Sequence, residues 1–372
     1  MPTFNISFPS RSDEGKYKLL ELPKELVALI ESNIDDNSYV WSLSIRGTGE
    51  DDAVLCTGEK TYLMKAVTLS NAYCILTPSQ EDGREAVISD TVKQIVELSP
   101  TIPKTFKIKV LLRDQIYEEG REEVDSEVQT KWKSHSDVRR AIQASDKELE
   151  QALRSKRILN LNGYLRPLAP SYLNTALELM LNTLVSLNAP KDSVPVVDLV
   201  EVLQSDHDIS RDVMLQIMAW FGELGDALNS ISQTTTWKMD VHAVARQIGL
   251  GILSRYREAS ITTSEFTSQW RTALGDSFEA AADLALLKGN YIRLQATTLK
   301  YFSAEDLPAT PQERFADLFL TKSSWELDEI TPFLEDIATD NKERDKLLMK
   351  YTRSVDRNGT VTYVSARGGP TG

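Results

Sequence analysis

Three histidines, His135, His207 and His242, are the only imidazoles in the sequence, and they stand 72 and 35 residues apart. Metal-ligating histidines recur at short intervals beside cysteine or carboxylate partners. No cysteine lies near these three, so each is expected to be a surface or capping residue. The two cysteines, Cys56 and Cys74, are too few for a disulfide framework and fit a reducing compartment. Gly47-Thr48-Gly49 comes nearest to a phosphate-cradling glycine pair, yet it runs into Glu50-Asp51-Asp52, whose charge would repel phosphate. It reads as a turn between strands. No Gly-x-Ser-x-Gly elbow occurs. The acidic run Glu118-Glu119-Gly120-Arg121-Glu122-Glu123-Val124-Asp125 could be taken for paired acid and base carboxylates, but crowded like charges without apolar partners make a solvated linker. The expectation is a chain without catalytic residues, metal or cofactor, and so not an enzyme.

Positive charge is distributed differently. The formal net charge of −13 argues against a nucleic-acid coat. Within residues 341–372, however, seven basic side chains meet three acidic ones, a local excess of +4. Lys342, Lys346, Lys350 and Arg353 follow one another at spacings of four, four and three, which lines them along one face of a helix. Arg357 flanks the turn Asn358-Gly359, and Arg367 follows the strand beyond it. These six are candidate contacts to the phosphates of single- and double-stranded DNA, weak and indifferent to sequence. A solvated basic face or a protein-binding surface is the competing reading.

The elements that must position these groups divide the chain. A length of 372 residues exceeds one core, since domains cluster near ~150 residues, and implies two or three domains. The 41% hydrophobic and 26% charged composition is that of a soluble globular protein, and the low glycine and proline content favours helices. No apolar run nears the ~20 residues that span a bilayer. The start, Met1-Pro2-Thr3-Phe4-Asn5, lacks a signal pattern. No membrane association is expected, and the sequons at Asn5 and Asn358 are expected to be unused.

Residues 1–116 are strand-rich. A strand is expected over 18–22, then a helix after Pro23 carrying Leu26, Val27 and Ile30 on one side. Trp41, Leu43 and Ile45 alternate with serines as in a half-buried strand. Further strands are expected over 53–56, 62–67 and 72–76. With so little helix to cover them, a sheet edge or face needs protection, and a partner chain could bind at Trp41, Leu43 and Ile45. Phe106, Ile108 and Val110 alternate with lysines like a strand, although the same stretch suits a helix. Residues 117–133 read as an acidic linker.

Helices dominate from residue 131. Ser145 with Glu148 and Thr310 with Glu313 form capping boxes, and Asp340 with Glu343 opens another helix. Met214, Ile217, Met218 and Phe221 make an apolar stripe that reads as core. Asn162-Gly163, Gly289-Asn290 and Asn358-Gly359 are hairpin signals. Short helices followed by a hairpin, recurring along the chain, describe tandem winged-helix modules in an α+β protein. The first region, 134–236, is the least regular. The second, 237–308, has helices expected over 241–255, 264–274 and 278–288. The last, 309–372, has helices over 310–325, 327–338 and 341–353, with a wing at 354–366. A helical-repeat scaffold ending in one winged helix fits the periodicity too.

The string Glu305-Asp306-Leu307-Pro308, Gln312-Glu313-Arg314-Phe315, Leu318-Phe319, Trp325, Ile330, Pro332, Leu347-Leu348, Lys350-Tyr351, Asn358-Gly359, Tyr363 and Arg367 resembles the defective-in-cohesion (Dcc) family of sister chromatid cohesion proteins. Ile142-Gln143-Ala144-Ser145 with Gly163-Tyr164, and Leu55-Cys56-Thr57, Lys60-Thr61-Tyr62 and Ser70-Asn71, are similar to it as well, in the same order. The resemblance implies a non-enzymatic, nuclear subunit of the alternative replication factor C-like clamp loader. It implies that the strand-rich part joins a β-barrel assembly with a small companion subunit and the tail of the large one, followed by winged helices. It also implies association with the leading-strand polymerase, an indirect action on the sliding clamp, and a helix over 104–112. A scaffold subunit of another complex, of the proteasome-lid type, is the alternative; it has no need of the first 116 residues.

Overall fold

In a computed structural model of the chain, residues 5–8, 17–32, 43–49, 51–78, 85–121, 129, 131–225, 230–357 and 360–366 are described. Trp41, Arg367, the Asn358-Gly359 turn and residues 122–125 of the acidic run lie outside them. The chain divides into two compact units, Met1–Ile108 with Ser136–Ala152, and Lys109–His135 with Leu153–Gly372.

The first unit is built on one mixed sheet. Its strands are β1 (Asn5–Ser7), β2 (Leu19–Glu21), β3 (Ser44–Arg46), β4 (Val54–Cys56), β5 (Thr61–Pro78) and β6 (Glu85–Pro100), with helix α1 (Lys24–Ser32) between β2 and β3. The order is β1-β6-β5-β4-β3, with β2 also on β6, and among the described residues the sheet does not close into a barrel. β5 is one 18-residue strand where two short ones were expected. A register shift between Thr68 and Tyr73 carries it past the interruption in its apolar pattern. β6 was not anticipated, because Asp90, Lys93, Gln94 and Glu97 break its alternation. The core is small: Leu26, Leu55, Tyr62 and Leu98. Helix α2 (Lys107–Leu111) decides the ambiguous stretch, burying Ile108 and leaving Phe106 and Val110 exposed.

Residues 136–152 return to this unit through parts of α3 (His135–Ala141) and α4 (Asp146–Ser155). The expected capping box is present: the Glu148 amide donates to Ser145 Oγ (3.2 Å) and the Ser145 amide to Glu148 Oε2 (2.9 Å). Asp146 accepts from Arg139 Nε (2.6 Å) and from buried Arg46 Nη2 (2.5 Å), clamping this segment to β3. The Arg139 hydrogen bonds foremost, then Arg46, hold the Asp146 carboxyl well below the usual carboxylate range. A depressed carboxylate stabilises above its unfolded pKa near 3.8 and loses that contribution as pH falls below it. Asp146→Asn should therefore cost ~1–2 kcal/mol at neutral pH, a figure reduced because the carboxylate is 40% exposed. It should also flatten the acid limb of the stability curve. Urea unfolding of the chain at several pH values measures both; an unchanged acid limb would remove the clamp from the account.

The second unit begins with the hairpin β7 (Ile158–Leu161) and β8 (Tyr164–Pro167). Asn162 (φ 53°) and Gly163 (φ 85°) supply the two left-handed residues that its tight turn requires. Three segments follow with one recurring order. The first is α5 (Pro170–Ser186), β9 (Val194–Pro195), α6 (Val196–His207), α7 (Arg211–Trp220), β10 (Gly222–Leu224) and β11 (Thr236–Met239). The second is α8 (Val241–Leu253), β12 (Ile261–Thr262), α9 (Thr263–Leu274), two 3-10 turns, β13 (Tyr291–Gln295) and β14 (Thr298–Tyr301). The third is α10 (Pro311–Thr321), β15 (Ser324–Glu326), α11 (Leu327–Ile330), α12 (Asn341–Tyr351), β16 (Thr352–Arg357) and β17 (Thr360–Ser365). In each, the last strand lies between the first strand and its hairpin partner: β10-β11-β9, β12-β14-β13 and β15-β17-β16.

Several expected helices end early. Over 278–288 the chain makes 3-10 turns at Glu279–Ala281 and Leu284–Leu287, because Asp283 accepts from the Ala285 amide (2.9 Å) and starts a fresh turn. The helix from 310 stops at Thr321, and Trp325 enters β15 with its Nε1 donating to the Lys322 carbonyl (2.9 Å). Thr310 bonds the Glu313 side chain, not a backbone amide, so that box is incomplete although Pro311 opens the helix as expected. Over 327–338 the α-helix lasts only from Leu327 to Ile330, before a 3-10 turn.

The first two segments share one core, which includes the expected stripe Met214, Ile217, Met218 and Phe221 together with Trp237, Phe266 and Trp270. The third has its own core of Phe315, Leu318, Trp325, Phe333 and Leu348, joined by Ile292 from β13.

Candidate functional site

The basic residues of the terminal segment depend on α12. Asp340 Oδ1 accepts from the Glu343 amide (2.7 Å) and starts that helix, as its spacing predicted. Leu348 is buried, and Tyr351 stacks on Phe315 with centroids 5.0 Å apart, so this face is fixed to the core. Lys342, Lys346 and Lys350 consequently project outward at four-residue intervals, all exposed. Lys350 Nζ lies 5.2 Å from the Tyr351 ring centroid. Arg344 takes no part in this row, being bonded to Asp345 (2.7 Å) and Asn341 (3.1 Å).

Arg353 is not on the helix. The expected helical face ends at Tyr351, where Thr352 turns extended and its Oγ1 donates to the Leu348 carbonyl (2.6 Å). Arg353 is the second residue of β16, paired with Val364 and exposed. Helix and hairpin thus share the row between them. Arg357 ends β16 with its backbone paired to Thr360, while its side chain and Arg367 lie outside the described residues. Among the described residues, Lys342, Lys346, Lys350 and Arg353 form no ion pair, so their charge is available to an anionic partner.

In the first unit β3 is at the edge of the sheet and, among the described residues, pairs with β4 alone. Ile45 is 65% exposed and Leu43 51%, whereas the buried side chain of β3 is Arg46. The apolar positions therefore face away from this chain's own small core. Tyr73 and Leu76 on β5, with Ile6 and Phe8 near β1, add further exposed apolar area. The sequence reading missed Arg46 and its clamp, since nothing local signals a pair 100 residues apart.

Fold and surface together define a modular α+β protein: an open mixed sheet with an apolar edge, then three segments of one topology ending in a basic helix and hairpin. The chain belongs to the family of the sister chromatid cohesion protein Dcc1, whose model matches residues 17–334. It is 27% identical to sister chromatid cohesion protein DCC1 of Xenopus laevis over 97% of this chain and 92% of that protein. The corresponding human protein is 25% identical over 95% and 89%, and that of Saccharomyces cerevisiae 23% over 95% and 97%. The resemblance carried by the residue strings is thereby established.

Proposed function

We propose that this chain is a non-catalytic, nuclear subunit of the cohesion-specific replication factor C-like clamp loader, supporting sliding-clamp loading and unloading at replication forks. The observation that carries the reading is an open sheet with an exposed apolar edge in a cohesion-family chain. Such an edge is a liability for a lone protein and a template for a partner strand. The large and small companion subunits would complete a barrel on it, with Leu43 and Ile45 at the junction. The three repeated segments are read as winged helices, because each runs helix, strand, helix, turn or helix, and hairpin. The winged helices would bind the leading-strand polymerase and DNA, the DNA on the basic face of the last.

Affinity purification from cells tests the assembly. Recovery of clamp-loader ATPase subunits supports the reading, and recovery of a different complex without them would replace it. Replacing Lys346, Lys350, Arg353 and Arg357 with alanine tests the DNA contact. Binding of single- and double-stranded DNA should weaken alike, and the salt slope should flatten by about one unit per lost phosphate contact. Folding should be unchanged, since the three whose side chains are described face solvent. Parental DNA binding by the quadruple variant would sink the site.

A further inference from the structure

We infer that a cleft in the second unit binds an extended segment of a partner protein through a lysine or arginine side chain. The cleft is separate from the β3 edge and from the basic row on α12 and β16, and it goes beyond the reading above. It has a volume of about 960 Å3 and lies between the residues before α3, the β7–β8 hairpin, and helices α5, α6 and α7. A cleft of this size encloses more than a single side chain.

Three half-buried aromatic rings line it: Trp132, Tyr164 and Tyr172. Trp132 meets Tyr164 edge to face, with centroids 6.0 Å apart, and the Arg166 guanidinium lies 4.5 Å from its ring centroid. Arg166 is buried, and its donors are engaged by backbone. Its Nη2 donates to the Ile116 (3.0 Å) and Arg121 (2.6 Å) carbonyls, and its Nε to that of Gln115 (3.3 Å). At the rim stand the exposed residues Glu119, Asp208 and Asp212, and among the described residues none of these three carboxylates has an ion pair. His207, counted neutral at pH 7, completes the ionisable lining. In the sequence, residues 122–128 hold four carboxylates and no basic side chain, so the chain next to Glu119 offers no cation either.

The lining selects the ligand. Carboxylates at the rim and aromatic rings within attract a cation, which gains a countercharge and a π surface together. A nucleic-acid phosphate would meet three negative charges against one positive, so DNA is repelled. A second observation favours a peptide over a free polyamine. The Nε1 of Trp132 is buried with no acceptor among the described residues. A buried donor left unpaired is costly, and a peptide carbonyl beside the ring supplies the acceptor that a polyamine lacks.

The test is fluorescence-anisotropy titration of the full chain with a labelled arginine-rich model peptide and with its citrulline counterpart, which keeps the shape and loses the charge. Spermine and a DNA duplex are titrated alongside. The variants are Asp208→Asn, Asp212→Asn and Trp132→Phe. Asparagine accepts the left-handed backbone of Asp208 (φ 56°), so that substitution keeps the turn. Asp317→Asn, which removes an exposed carboxylate on α10 outside the cleft, is the control for net charge. The arginine peptide should bind the parent and the citrulline peptide should not. Each aspartate variant of the cleft should weaken binding about threefold and Trp132→Phe about tenfold, while the control binds as the parent does. Equal binding by parent and cleft variants, or equal weakening by Asp317→Asn, overturns the site. Variant-sensitive binding of the citrulline peptide overturns the cation, and of spermine without the arginine peptide, the protein source. Variant-sensitive binding of duplex alone overturns the ligand class. A dimer of the parent that the cleft variants dissociate would give the cleft to a second copy and overturn the partner.

Discussion

Arg314→Ala is expected to unfold the terminal segment selectively, at a cost of about 3 kcal/mol or more. The Arg314 side chain is 2% exposed and holds three carbonyls: Pro308 (2.7 Å), Phe333 (2.8 Å) and Leu307 (3.3 Å). It also grips both oxygens of Asp336, Oδ2 at 2.8 Å. Alanine would leave these acceptors without their donor in a closed space. The carboxylate is 52% exposed and would recover water, so most of the cost falls on the carbonyls. Lysine carries the charge but not the planar fork, so Arg314→Lys should cost about 2 kcal/mol. Hydrogen exchange read by region checks this: amides of 311–365 should lose protection while those of 170–301 keep theirs. Loss of protection throughout would mean that the terminal core has no stability of its own.

Trp270→Ala should act in the opposite manner, lowering the stability of two segments at once by about 3–5 kcal/mol. Trp270 is fully buried, packs on Phe266 with centroids 5.5 Å apart, and donates its Nε1 to the Ala245 carbonyl (2.8 Å). Its ring fills the space over Gly249, where an added Cβ would meet Cε2 at 2.6 Å. Gly249→Ala should therefore displace the same ring from the other side, costing about 1–3 kcal/mol by overpacking. Because segments 170–239 and 241–301 draw on one core, their amides should lose protection together in both variants. An effect of Trp270→Ala confined to 241–301 would show two independent cores. Together the Arg314 and Trp270 variants separate a fused pair of segments from a terminal one that carries the basic row.

The sequence by itself determined what depends on residues one to four positions apart. Ser145 with Glu148, Asp340 with Glu343 and the Asn162-Gly163 turn were legible because partners this close meet through backbone geometry alone. The stripe from Met214 to Phe221 was legible because helical periodicity reports burial directly. The local excess of positive charge at the end of the chain is likewise a property of composition. Tertiary structure decided the rest. It joined two short strands into β5, moved Arg353 from helix to strand, and fused two segments into one core. It paired Arg46 with Asp146, residues far apart in the chain. Such pairings follow from which surfaces exclude water from one another. That selection is made by the whole packed chain, and spacing along the sequence does not encode it.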